Sequence, residues 1–179
     1  MKTRTHNIFT TGVLTLTGAL FIAPVYSFIS AALISVISNN IIDKYGHETN
    51  RFGETVRTYR THSPLRALFW GFTPALVLIA VVPYLRNSFI FPVPAYFYCL
   101  SAQGLLAGEL HLLLDLPTED GIFINKKHVA LGHFAYNNPL VNLAAAGAGF
   151  LLIYLAFTGV NYEKIYSISN IFNSIRYHA

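Results

Sequence analysis

Four runs of this chain, residues 8–38, 65–85, 94–116 and 139–160, are too apolar for too long to fold in water. About twenty apolar residues in a helix cross the hydrocarbon core of a bilayer. Backbone at that depth has to satisfy its own hydrogen bonds, which a helix does. The expected architecture is therefore all-α: a polytopic membrane bundle of four or five transmembrane or half-spanning helices. Composition agrees, because only 11% of the 179 residues are charged and 54% are hydrophobic, against about 25% charged in soluble domains. The 15% aromatic content is nearly all Phe and Tyr, as suits interfacial belts.

The run 8–38 exceeds one span and is interrupted by Ala23-Pro24. Proline breaks a helix interior, so two short helices are expected, about 8–22 and 25–38. They form a hairpin that returns Asn39 to the side where His6 began. One long tilted helix is the alternative, and it would separate His6 from Asp43. A secretory signal is the rival for the first half, but no small-x-small cleavage site follows Ile22.

Residues 39–64 read as a polar loop over the membrane surface. Ser63-Pro64 opens the next helix, 65–86, as cap and first position, with a kink at Pro74. Ser88 to Pro94 is the return turn, followed by a helix at 94–116 that Pro117 ends. A second polar loop leads to the Asn137-Asn138-Pro139 cap of the last helix, 139–160. The small-residue tract Ala144 to Gly149 in that helix permits close approach of another helix, including one from a second copy. The tail, 161–179, has an amphipathic pattern that suits the interface. Without an internal repeat or a second composition, 1–179 reads as a single membrane-embedded domain, and a transporter built of repeats is disfavoured.

Charge orients the chain. With a cytoplasmic N-terminus, Lys2, Arg4, Lys44, Arg51, Arg57, Arg60, Arg66, Lys126 and Lys127 fall inside, and Arg86, Lys164 and Arg176 outside. The positive-inside rule therefore puts the N-terminus and both polar loops of this multi-pass cell-membrane protein in the cytoplasm. These cations are too dispersed for nucleic-acid binding, which leaves membrane lipids and a small-molecule or lipid substrate as partners. The lone Cys99 excludes a disulfide framework. Six of the seven histidines, all but His178, share the cytoplasmic face with Asp43 and Asp115.

His111 and Asp115 lie four residues apart in an apolar helix, hence on one face. Ionisable groups there are costly unless paired or metal-bound, and they mark a functional site. His6, Asp43 and His62 join them from helix ends, with His47 nearby. Imidazole and carboxylate ligands suit a divalent metal, zinc first and manganese or iron as alternatives, and a bound metal suits hydrolysis. Asp43 is the candidate proton carrier. Glu109, about 200° around the helix from His111, is the lesser candidate. Asn40, His47, Thr61, Ser63 and Thr118 are the expected supporting residues, and Asn142 faces the site from the last helix. Asp120, His128 and His133 read as solvated loop residues. The competing reading is a metal-free or metal-stapled polar cluster that braces the bundle without catalysis.

In order along the chain, Thr5-His6, Ile42-Asp43, Thr61-His62-Ser63 and the block His111-Leu112-x-x-Asp115-x-x-Thr118-x-x-Gly121 resemble the motifs of the YdjM-like family of membrane-bound, metal-dependent hydrolases. They are more similar still to an archaeal group of uncharacterised membrane proteins. The resemblance reaches about residue 125 and implies a membrane hydrolase with His6, Asp43, His62, His111 and Asp115 as metal ligands. The departure is at Asn39-Asn40-Ile41-Ile42-Asp43, where the family pattern carries two acidic residues and a closer histidine than His47.

Overall fold

The computed structural model describes residues 1–49, 51–53, 55–84 and 93–159. Among these described residues five helices make the bundle: α1 Thr3–Gly18, α2 Pro24–Gly46, α3 Pro64–Val81, α4 Val93–Asp115 and α5 Pro139–Gly159. Four of them are long and apolar enough to cross a membrane: α2, α3 extended to Tyr84, α4 and α5. At 16 residues and about 1.5 Å of rise each, α1 reaches only part of the way.

The hairpin forms. Pro24 occupies the first turn of α2, and α1 packs antiparallel on α2 through the turn at 19–23. α2 is longer than hydropathy suggests, and α1 is shifted toward the N-terminus, ending at Gly18 rather than residue 22. α1 begins at Thr3 rather than residue 8, and α2 continues to Gly46 rather than ending at 38, so Asn39–Gly46 is helix and not loop. The reason is that the polar residues in these turns face protein. Thr5, His6, Ser38 and Asn39 are buried, and Asn39 Nδ2 donates to Asn7 Oδ1 (2.9 Å) across the two helices.

The rest of each polar segment folds as a short antiparallel hairpin, which the loop reading omitted. In the first, β1 His47–Thr49 pairs with β2 Thr55–Arg57, and in the second β3 Ile122–Ile124 pairs with β4 Lys127–Val129. Asn125 and Lys126, both at positive φ, close the second hairpin, as a two-residue turn requires. Gly121 sits at φ +52 with the Val129 carbonyl where a side chain would be, so the last glycine of the His-x-x-x-Asp block is a backbone requirement.

Small residues let the helices touch backbone to backbone. Ala67, Gly71 and Ala75 of α3 meet Gly104, Ala107 and Gly108 of α4, and Gly12 of α1 meets Gly149 of α5. The Ala/Gly tract of the last helix thus has a partner within the chain, α1. Lower in the bundle, Gln103 Nε2 donates to Leu14 O (3.2 Å) and Ser27 O (3.1 Å), and Ser30 Oγ donates to Gln103 Oε1 (2.8 Å). Three helices are locked in register by this polar clasp. His6 to Gly18, Asn39 to Ser27 and His111 to Cys99 are each twelve residues apart, and Gly18, Ser27 and Cys99 meet at the lower level. His6, Asn39 and His111 therefore meet about 18 Å above it.

Pro74 lies inside α3, and Ser63-Pro64 opens it as expected, although Ser63 makes no capping bond. Asn138 Oδ1 does cap α5, accepting from Leu140 N and Val141 N. The return turn, as far as residue 92, and the tail 161–179 lie outside the described residues.

Candidate metal centre

α1, α2 and α4 bring their polar ends together, and the residue before the Ser63-Pro64 start of α3 closes the group. His6, His62, His111 and Asp115 are each 0–1% exposed. The His6 and His111 rings stack with centroids 4.1 Å apart. His6 Nε2 is 3.1 Å from Asp115 Oδ1, His111 Nε2 is 3.2 Å from Asp115 Oδ2, and His62 Nε2 is 3.7 Å from the same Oδ2. Asp43 reaches in from α2, its Oδ1 3.4 Å from His111 Nε2.

Second partners decide which ring nitrogens carry protons. Asn39 Nδ2 is spent on Asn7 Oδ1 and Ser35 Oγ, so its Oδ1 accepts from His111 Nδ1–H at 3.0 Å. The Thr61 hydroxyl donates to Ile42 O and therefore accepts from His62 Nδ1–H at 2.9 Å. Each assignment leaves a lone pair on Nε2, the form that ligates a metal. Those two atoms, with His6 Nδ1 and Asp115 Oδ2, are buried and have no hydrogen-bond partner among the described residues. Such orphans cost free energy unless something completes them. A divalent cation fits the set.

Two groups of three have ligand atoms within 4.8 Å of one another: His6, His111 and Asp115, all buried, and Asp43, His47 and His62 beside them. The second group is the more open, with the Asp43 and His47 side chains 20% and 31% exposed. His47, expected in a supporting role, stands at ligand distance and stacks on His62 with centroids 5.2 Å apart.

The supporting residues divide. Thr61 holds His62 as described. Thr118 Oγ1 donates to Asp115 O (2.7 Å) and accepts from Arg57 Nη1 (3.1 Å). Ser63 Oγ bonds Tyr59 O at 3.4 Å instead of a ligand. Asn40 is exposed, and its neighbour Asn39 is the residue at the site. Because α2 continues, Asn39 and Asp43 share a face four residues apart, whereas Asn40 is about 100° away. Glu109 is half-buried on α4, with no hydrogen bond or ion pair to the cluster among the described residues. Asn142 acts at one remove: its Oδ1 accepts from Lys2 N and Thr5 Oγ1, tethering the His6 end of α1 to α5. His128 bonds Asp120 O, away from the cluster.

Arg57 was not foreseen. From β2 its Nη2 donates to Asp115 Oδ1 at 2.7 Å, and its Nη1 donates to Gly121 O at 3.1 Å, with 6% of the side chain exposed. The Met1 amine bonds the same Asp115 oxygen at 2.8 Å. One carboxylate oxygen thus neutralises buried cations, and the other is left facing His62 and His111.

Burial, then the neighbouring His111, pushes the His62 imidazole down from 6.5 to about 2, and burial also lowers His47. In the unfolded chain His62 takes up a proton below about pH 6.5, while in the folded chain it stays neutral far below that. The unfolded state then binds more protons, and stability falls as pH drops through that window. Chelator-stripped protein should melt at a progressively lower temperature between pH 7 and pH 5. A melting temperature that is flat over this interval would contradict the buried neutral histidine.

The fold and the cluster define a polytopic membrane protein with a His/Asp site competent for a metal ion. The chain belongs to DUF1286, a family of proteins of unknown function whose model matches residues 1–114. That match covers α1 through Leu114 and includes His6, Asp43, His62 and His111. No curated protein and no solved structure matches the chain.

Proposed function

We propose that this protein is a membrane-embedded, metal-dependent hydrolase acting on a phosphoester or lipid-like substrate at the cytoplasmic face. One observation carries the reading: ligand atoms of the buried His6, His111 and Asp115 lie within 4.8 Å of one another, and His62 Nε2, His111 Nε2 and Asp115 Oδ2 have no hydrogen-bond partner among the described residues. The likeness of its motifs to YdjM-like membrane hydrolases supports it, and the excess of Lys and Arg on that face supports the sidedness. His6, His111 and Asp115 would hold one ion, zinc by ligand type, and Asp43, His47 and His62 form an adjoining set. A divalent ion there supplies a Lewis acid for a phosphoryl oxygen and lowers the pKa of water.

The protein's own groups do the rest. Asn39 and Thr61 present the lone pairs of His111 and His62. Arg57 holds Asp115 in place through its 2.7 Å bond to Oδ1. Asp43, whose Oδ2 accepts from Thr3 Oγ1 at 3.0 Å, is the carboxylate at the open side and takes up the proton released by the attacking water. Glu109 has no part in this arrangement.

The near-complete burial of the first three ligands favours a second reading, a metal that staples α1 to α4 without turnover. Activity separates the two. Zinc-loaded protein in detergent should hydrolyse an aryl phosphodiester or vesicle phospholipid, and His62→Ala should lower that rate about 100-fold or more. Equal rates in wild type, His62→Ala and chelated protein would reject the hydrolase and leave the staple.

A further inference from the structure

A cleft of about 440 Å³ opens between the end of α2 and the start of α3, beside the metal centre and separate from it. Its walls are Tyr45, Leu65, Phe69 and Trp70, and Arg60 and Arg66 stand at its rim. Leu65, Phe69 and Tyr45 are 84%, 63% and 53% exposed, a large apolar surface to leave open. The aromatic wall is organised: Tyr45 stacks on Trp70 at 5.6 Å, and Phe69 meets Trp70 edge-on at 5.4 Å. Aromatic rings with cations above them, at the end of a spanning helix, have the character of a membrane interface.

The rim is cationic. Arg60 pairs with Glu48 at 2.8 Å, but with 72% and 51% of the two side chains exposed the pair is weak and easily exchanged. Arg66 lies over the Tyr59 ring at 4.2 Å and has no acidic partner among the described residues. Lys44 lies over the Tyr45 ring. Two rim cations thus face one carboxylate above an apolar trough that leads down a helix long enough to span.

We propose that this cleft binds one anionic phospholipid from the surrounding leaflet. Its phosphate lies against Arg60 and Arg66, and an acyl chain runs along Leu65 and Phe69. The inner wall includes Thr61, which hydrogen-bonds His62, so a bound headgroup sits next to the metal centre. The inference rests on the membrane placement of α3 and stands whether or not the metal centre turns over substrate.

Trp70 is the only tryptophan, which makes the test direct. Full-length protein is placed in phosphatidylcholine nanodiscs, and Trp70 fluorescence is followed as chain-brominated phosphatidylglycerol or chain-brominated phosphatidylcholine replaces part of the lipid. Half-quenching should need about fivefold less of the anionic lipid or lower still, since basic residues near a membrane surface favour anionic lipid to that degree. The double variant Arg60→Gln/Arg66→Gln, changed only at exposed side chains, should bring the two curves together. Soluble glycerol phosphate should not relieve the quenching. Coincident curves in wild type would overturn the proposal, and so would full relief by glycerol phosphate, which would assign the cleft to a free phosphate.

Discussion

Asp115→Ala should destabilise the bundle by about 3–5 kcal/mol, the cost of stranding buried charge. Asp115 is fully buried, and one of its oxygens takes the Arg57 guanidinium at 2.7 Å and the Met1 amine at 2.8 Å. Removing the carboxylate leaves Arg57, itself 6% exposed, with no anion. Arg57 also holds Thr118 and Gly121, so the β1–β2 segment loses its side-chain tie to α4. Equilibrium unfolding in detergent measures the loss. The exposed pair Arg60–Glu48 is just as short at 2.8 Å and provides the contrast: Glu48→Ala should cost less than about 1 kcal/mol. A loss below about 1 kcal/mol for Asp115→Ala would show that this carboxylate does not organise the site.

Gly108→Val should be the next most damaging change. A Cβ at Gly108 meets the backbone carbonyl of Ala67, and one at Gly71 meets the backbone nitrogen of Gly108. Neither neighbour is a flexible side chain, so α3 and α4 must move apart. Overpacking of this kind costs about 1–3 kcal/mol. Separation of helices that depend on small residues for contact adds a functional loss. His62 sits five residues before Ala67 and His111 three residues after Gly108, so the same movement draws the two ligands apart. Metal affinity should fall about tenfold or more. Gly147→Val, into open space, should leave both stability and affinity unchanged. Unaltered metal affinity in Gly108→Val would mean that the α3/α4 seam does not set the site.

The spans were legible because an apolar run of twenty residues reports on the bilayer and needs no tertiary information. The hairpin brought His6 and Asp43 to the face where charge sidedness and helical spacing had already placed His62, His111 and Asp115. Boundaries failed where polarity faced inward. Asn7, Ser35 and Asn39 look like solvated residues in sequence, yet they bond one another between α1 and α2, so hydropathy starts α1 too late and ends α2 too early. Choosing Asn40 over Asn39 followed from that same shortening, since only a helix running through Asp43 puts Asn39 on its face. Arg57 had no local signal. It lies in a polar stretch with Arg51 and Arg60, and only the β1–β2 hairpin aims it at Asp115. Three-residue strands carry too little alternation to be seen.

The most direct test of the metal centre is elemental analysis of detergent-purified wild type beside His111→Ala and His62→Ala, with melting curves confirming that each variant is folded. The wild type should carry about one to two divalent ions per chain; His111→Ala should lose the ion held with His6 and Asp115, and His62→Ala the ion held with Asp43 and His47. Wild-type protein that stays metal-free after exposure to zinc, manganese and iron, or variants that keep the full complement, would contradict the centre described here.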